Sequence, residues 1–321
     1  MLDNLPNSVS KVPLVNKLDL RQNVYVRNLF GGLELVMSNT VTKWSAFFLG
    51  FVFFLGIFGP PLAPHHYSEQ FFRPDGTLKL ALPPLSEGHL LGTTNQGQDI
   101  LSRLLYGARP TILIGLGGGI MVSVIGTTVG VIAGYVGGRT EFALMRIVDM
   151  IYAIPLIPFA ILMVVFFNIG LGTTILIIGV ILWRGSARVL RSQVLQIKER
   201  PYIEAARATG ASDRYIILKH VLPNIVNMIA LFLALGIGIS ILVQANLAFI
   251  GVSDPFTPTW GVMIRNAYTS GRFAEMWWWS LTPGFLISTT VLCTFLLGRG
   301  YESLRNQRSG RQNVDSTEVI A

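Results

Sequence analysis

From position 221 to 250 the chain runs thirty residues without a charged side chain, and from 111 to 135 it runs twenty-five. About 20 apolar residues in helical form cross the hydrocarbon of a bilayer. Further apolar runs at 44–61, 147–169, 171–183 and 280–298 bring the expected spans to six. The third carries only Asp149, near its start. The fourth is short before Arg184 but continues in helical pattern through Val189 and Leu190. The expected fold class is an all-α polytopic membrane protein with six transmembrane helices, which puts both termini on one side.

The Lys and Arg distribution decides which side. Nineteen of the 25 lie in 1–43, 136–146, 184–220 and the tail, and the other six lie in 62–110 and 251–279. Positive charge marks the cytoplasmic face, so both termini and the 184–220 loop are expected there. Composition agrees: 51% of residues are apolar, 13% are charged and mean hydropathy is +0.54, far from a soluble domain. The chain's 321 residues supply several spans but no large catalytic domain as well. The pI near 9.8 invites a nucleic-acid reading, yet the cations sit in loops with no aromatic-interleaved basic stripe. One cysteine, Cys293, excludes an intrachain disulfide and a cysteine-based metal cluster. The first run follows 43 mostly polar residues and leads into Pro60, Pro61 and Pro64, which reads as an uncleaved anchor.

Between the fourth and fifth runs stands the polar segment YIEAARATGASDRYIILKHVLPN, residues 202–224. Pro201 suits a first helical turn, Glu204 lies near the positive helix end, and Ala205, Ala206 and Ala208 are small helix formers. Gly210 suits a left-handed C-terminus, and Ser212 caps a second helix through Ile216, Ile217 and Leu218. This predicts a helix of about 10 residues, about 15 Å long, held across the end of the fifth span.

Glu204-Ala205-Ala206, then Gly210, then Leu222-Pro223, resembles the EAA signature of importer permeases of the ATP-binding-cassette class. His220-x-Leu222-Pro223-Asn224 is similar to the dipeptide/oligopeptide/nickel branch. Residues 89–112 resemble the segment preceding the core in the C-type subunit of peptide permeases. Gly92, Gly97, Asp99, Ser102 and Arg103 match there, while Thr94 and Gln98 depart from the usual acid and base together, as a swapped ion pair would. Pro258-Thr259-Trp260-Gly261 with Met263 resembles an external loop of the same branch. The likeness covers roughly 89–301.

The resemblance implies a type I importer permease of the prokaryotic cytoplasmic (inner) membrane. In it, Glu204, Ala205, Ala206, Arg207 and Gly210 form a coupling helix seated on a cytoplasmic ATPase, and Leu222 and Pro223 pass its motion into the fifth span. Implied partners are a second homologous permease forming a heterodimer, two ATPase subunits and an external solute-binding protein, with membrane lipid around the spans. No phosphate-loop motif G-x-x-x-x-G-K-[ST] is present. ATP and Mg are thus expected on the ATPases, with no cofactor, metal or catalytic residue on this chain.

The implied layout is a cytoplasmic tail at 1–43, a first transmembrane helix at 44–62, an external loop with an interfacial helix at 63–108, a permease core at 109–300 with the coupling helix at about 201–210, and a second tail at 301–321. The external loop reads either as contact with a substrate-delivering protein or as an amphipathic interfacial helix with Ile100, Leu101, Leu104 and Leu105 opposite Arg103. Gly115, Gly119, Gly126, Gly130 and Gly134 recur at helical spacing, which favours helix packing over a pore lining. Arg146 and Asp149, one turn apart, are expected to pair at the cytoplasmic mouth of the third span. Asn227, Gln244 and Asn246 are the candidate substrate path, and Trp277, Trp278 and Trp279 read as an interfacial belt.

Import of di- or oligopeptides is the favoured function, with nickel or another small solute as the alternative on the same architecture. An ion-driven transporter is more distant, because five spans carry no charge. An intramembrane enzyme is disfavoured because His65, His66, His89 and His220 all fall in loops.

Overall fold

The computed structural model describes residues 39–168 and 170–318, with side chains through residue 300. Residues 1–38 of the N-terminal tail, Ile169 at the expected end of the third span, and 319–321 lie outside the described residues. Eleven α-helices occur, with isolated β-bridges in the external loop and no β-strand among the described residues.

Helix α1, Thr40–Leu62, starts where the Asn39 side chain accepts a bond from the Val41 amide (3.0 Å). Its outer face carries Trp44, Phe47, Phe51, Phe54 and Phe58, all exposed as lipid-facing side chains are. Helix α2, Ile100–Val136, is the axis of the molecule. It is capped by Asp99, whose carboxylate accepts from both the backbone and the hydroxyl of Ser102 at 2.7 Å. Its 37 residues make about 55 Å of helix, well beyond the roughly 30 Å of hydrocarbon. The expected separate interfacial helix is instead the external end of this same rod. Ile100 and Arg103 are both buried there, which corrects the two-faced surface helix read from the sequence.

Helices α1, α5, α6 and α9 pack around α2. The glycine pattern shows why: a Cβ at Gly115 or Gly119 would run into Ile241 and Ile237 of α9. One at Gly130 or Gly134 would lie 2.8 Å from the backbone oxygen of Ala187 or Arg191 on α6. Small residues let the backbones touch, which replaces the hydrophobic drive that lipid does not provide.

The third and fourth spans are broken. Helix α3, Gly138–Ala153, and α4, Leu156–Phe167, meet at 90°. Ile154 between them is extended, as the residue before a proline prefers; Pro155 caps α4. Helix α5, Leu171–Leu182, bends by 41° at Trp183 into α6, Arg184–Lys198. Two short helices follow, α7 (Pro201–Ala208) and α8 (Asp213–Ile216), then a π-turn at Ile217–Val221 leading into α9, Leu222–Phe249. The last two are α10, Trp260–Thr269, outside the membrane, and α11, Trp277–Glu318.

Two charge and aromatic expectations change. Asp149 pairs with Arg188 of α6 at 2.8 Å, while Arg146 lies over the Phe142 ring one turn back (5.4 Å). Only Trp277 of the tryptophan triplet is exposed; Trp279 is a core residue beside Met276 and Ile287. Trp260 is also core. Its indole N–H donates to the Leu104 carbonyl (3.0 Å) and its backbone N–H to the Thr111 hydroxyl (3.2 Å), which fastens the 251–259 loop to α2.

Gly130→Leu should lower the thermal stability of the solubilised protein by an amount on the order of 1–3 kcal/mol, the usual cost of overpacking. Gly172, where an added Cβ would meet nothing within 4 Å, supplies the control. Gly172→Ala should not lower the thermal midpoint, since alanine is the better helix former.

Candidate functional site: the cytoplasmic loop at 199–224

The loop joins two spans and carries one anchored rod. Pro201 occupies the first turn of α7 with Glu204 beside it, and the helix has a single buried residue, Ile203. That side chain is fully buried and belongs to one core cluster with Val131, Tyr135, Leu190, Val194, Ile197, Ile216, Val221 and Ile225. Fully burying an isoleucine is worth about 2–3 kcal/mol, so one residue seats the rod on α2, α6 and α9 together. Glu204, Ala205, Arg207, Ala208 and Gly210 are exposed and Ala206 is half-buried. The outer face is thus small, polar and uncovered.

Local chemistry fixes both ends. Gly210 has φ +82°, the left-handed value. Its N–H donates to Arg207 O (2.9 Å), and the Ala211 N–H donates to Ala206 O (3.0 Å), the paired bonds of a Schellman terminus. The space around Gly210 is open, so the glycine is required by backbone angle rather than by crowding. The Ser212 hydroxyl accepts from the Tyr215 amide (3.4 Å) and starts α8.

Two side-chain clasps then tie the rod to different spans. At the far end, Tyr135 on the last turn of α2 donates its phenol to Asp213 (2.7 Å), and Arg207 lies over the same ring at 5.4 Å. At the near end, Asn224 donates to the His220 carbonyl (2.6 Å) and to the Tyr202 hydroxyl (3.4 Å). The His220 ring sits between Tyr202 and Tyr215, with centroids 6.0 and 5.8 Å away. Pro223 has no N–H to donate. Just before it stands the π-turn, where the Leu222 N–H reaches back to Ile217 O, and the Asn224 side chain bonds the His220 carbonyl. Leu222 is half-buried against the Ile203 cluster and Pro223 is exposed.

The sequence reading missed Tyr135, Asp213, Tyr202 and Ile203. Tyr135 and Asp213 stand 78 positions apart, so no local pattern joins them. Ile203 was findable as the one aliphatic branched residue in the short helix PYIEAARA.

The candidate substrate-path residues do not converge. Gln244 is buried and donates to the Thr259 hydroxyl at 2.9 Å, facing α10. Asn246 is exposed and lines a cavity of about 240 Å³ with Leu156, Ile157, Val243, Leu247, Phe249 and Ile250. Asn227 is half-buried much nearer the cytoplasmic end of α9. In the external loop, Gln98 accepts a bond from Arg103, and the amide of Thr94 donates to the Gln98 carbonyl (2.8 Å). The two departures therefore sit in one turn, linked by hydrogen bonds. Nearby, His89 Nδ1 lies 2.8 Å from Asp99, both buried.

The family model described as "binding-protein-dependent transport system inner membrane component" matches residues 126–304, which include the whole loop. The chain belongs to that family. It is a multi-pass inner-membrane permease subunit of importer type. Among similar curated proteins, a dipeptide transport system permease from Bacillus subtilis is 35% identical over 83% of this chain and 81% of its own length. An oligopeptide transport system permease from Haemophilus influenzae is 31% identical over 82% and 83%. A probable D,D-dipeptide transport system permease from Escherichia coli is 31% identical over 88% and 93%. A solved structure of the MetNI methionine ABC transporter, inward facing, superposes with a TM-score of 0.51 at 21% identity. It covers 64% of this chain and 95% of that one, so the permease shares the type I importer fold.

Tyr135→Phe keeps the ring and its contact with Arg207 but removes the bond to Asp213. A hydrogen bond of about 1 kcal/mol net predicts roughly fivefold faster amide exchange over 209–216, read by hydrogen-exchange mass spectrometry.

Proposed function

We propose that the chain is one membrane subunit of an ATP-driven importer of di- and oligopeptides. It pairs with a second, homologous permease, rests on two cytoplasmic ATPases that bind ATP and Mg, and receives peptide from an external solute-binding protein. The observation that carries this reading is the exposed, small-residue face of α7, rigidly clasped to two spans, in a chain whose relatives are named as peptide permeases.

The mechanics follow from the clasps. When nucleotide draws the ATPases together, each α7 moves with the groove that holds it. Ile203 passes that displacement to the core, Tyr135–Asp213 passes it to α2, and Tyr202–Asn224 passes it through Leu222 and Pro223 to α9. Glu204, Ala205, Ala206, Arg207 and Gly210 make the ATPase contact, the alanines by close approach and the charged pair by charge-assisted bonds. Binding energy at the ATPases thereby shifts the bundle between outward- and inward-open arrangements.

The assembled complex in vesicles should take up a labelled dipeptide only with ATP present. Uptake that follows an ion gradient without ATP would overturn the proposal. Gly210→Val places a β-branched residue at a left-handed angle and should abolish uptake with normal membrane insertion, scored by labelling of an external cysteine tag. Glu204→Gln should weaken capture of the ATPase roughly fivefold in a pull-down titration.

A further inference from the structure

Charged side chains lie deeper in this membrane protein than the sequence suggests. Helix α2 supplies the scale. Its cytoplasmic end is at Tyr135, whose phenol meets the loop residue Asp213. The Ser186 hydroxyl donates to Val122 O (3.2 Å), and Gly126 packs on Ser186 and the Trp183 carbonyl. Gly126 is nine residues, about 14 Å, inside that end, close to the middle of about 30 Å of hydrocarbon. Val148 likewise packs on Trp183 and Ala187 beside Ile125 and Val129. The α5 segment before Arg184 has 12 residues, only about 18 Å, and reaches the same depth from the other side. Arg184 and Tyr152 therefore stand within the bilayer's thickness near the two helix breaks. Arg188, whose neighbours Ala187 and Arg191 pack on Gly130 about 8 Å inside the cytoplasmic end, stands with Asp149 in the cytoplasmic half.

A charge within the hydrocarbon is costly and marks a water-filled path or a functional group. Part of the cluster is structural: Arg184 donates to Ile181 O (3.1 Å) and to Ile151 O (3.4 Å), which also accepts from the Ile154 amide, near the ends of α5 and α3. Arg188 is different. It bonds Asp149 at 2.8 Å yet stays 51% exposed, and the Tyr152 ring lies 4.5 Å from its guanidinium, with Arg184 also against that ring at 4.6 Å. The fork is thus held in place with donors left over, since a guanidinium has five. Beside it opens a cavity of about 540 Å³ lined by Glu141, Phe142, Arg146, Asp149, Arg188 and Arg191, a size suited to a small ligand. Arg191 is bonded to Glu141. With Arg146 lacking a carboxylate among the described residues, three cations face two acids there.

We propose that Arg188, held by Tyr152 and Asp149 in the cytoplasmic half of the membrane, is a station for the terminal carboxylate of the transported peptide. The inference rests on the peptide-import reading above. A planar guanidinium matches a carboxylate with two parallel bonds, Tyr152 fixes its plane, and the surplus positive charge favours an anionic group over a cationic one. Asp149 keeps the guanidinium paired while the site is empty, which lowers the cost of holding it there.

The test uses the complete permease–ATPase complex in nanodiscs of neutral phosphatidylcholine, nucleotide-free and without the binding protein. Equilibrium dialysis measures binding of a labelled dipeptide and of its C-terminal amide. Wild type should hold the free acid at least fivefold more tightly than the amide. Arg188→Gln should make the two equal, and so should the exchanged pair Asp149→Arg with Arg188→Asp, which keeps an ion pair for folding but moves the cation. Wild type that binds neither peptide, or binds both alike, overturns the proposal, as does discrimination that survives both variants. ATP-dependent dipeptide uptake by the same wild-type complex with its binding protein separates the outcomes. If uptake occurs without discrimination, only this station fails; if no uptake occurs, the import reading itself fails.

Discussion

Close backbone contact along α2 is the constraint on which the rest of this bundle hangs. Lipid tails are as apolar as leucine, so burial alone gives helices little reason to associate; packing and polar contacts must do it. The glycines at 115, 119, 126, 130 and 134 remove the side chains that would hold α9 and α6 away. Hydroxyls then bond across the narrowed seams, as Ser186 does to Val122. With α6 and α9 both fixed on α2, the loop between them has no freedom of position. Ile203 finds its pocket already formed by three helices.

A second constraint governs the irregular places. Backbone groups freed in a bilayer need partners from the protein. Each interruption here has its own remedy: Arg184 at the breaks of the third and fourth spans, and Asn224 with the π-turn around Pro223. The cost of bending a helix in hydrocarbon is met by polar side chains, which are then available for chemistry at that depth.

Much of this was legible from the sequence because the relevant signals are local. The uncharged runs, Pro201, Glu204, Gly210 and Ser212 each act within one or two turns, and the loop helices stand where those residues place them. The glycine spacing also reads directly as close packing. What was not legible depended on contacts between distant positions. Arg146 was the obvious mate for Asp149 within one helix, yet the packing of Val148 on Trp183 and Ala187 brings Asp149 to Arg188, 39 positions away. The external loop and the permease core read as divided at 108–109, but α2 runs through that point and through Pro110, with Trp260 bonded to it on either side at Leu104 and Thr111. Trp279 resembled an interfacial residue because depth along a helix is not written in residue type. The three amides of α9 looked like one lining until the helix carried them to separate faces.

The excess length of α2 has a mechanical meaning. One uninterrupted shaft begins in the external domain, where Asp99 grips both His89 and the Ser102 cap, and ends at the phenol beside Asp213 in the cytosol. Such a shaft transmits tilt and thrust without a joint. A nudge delivered at the outer surface is therefore felt at the inner one, and the traffic runs equally well in reverse.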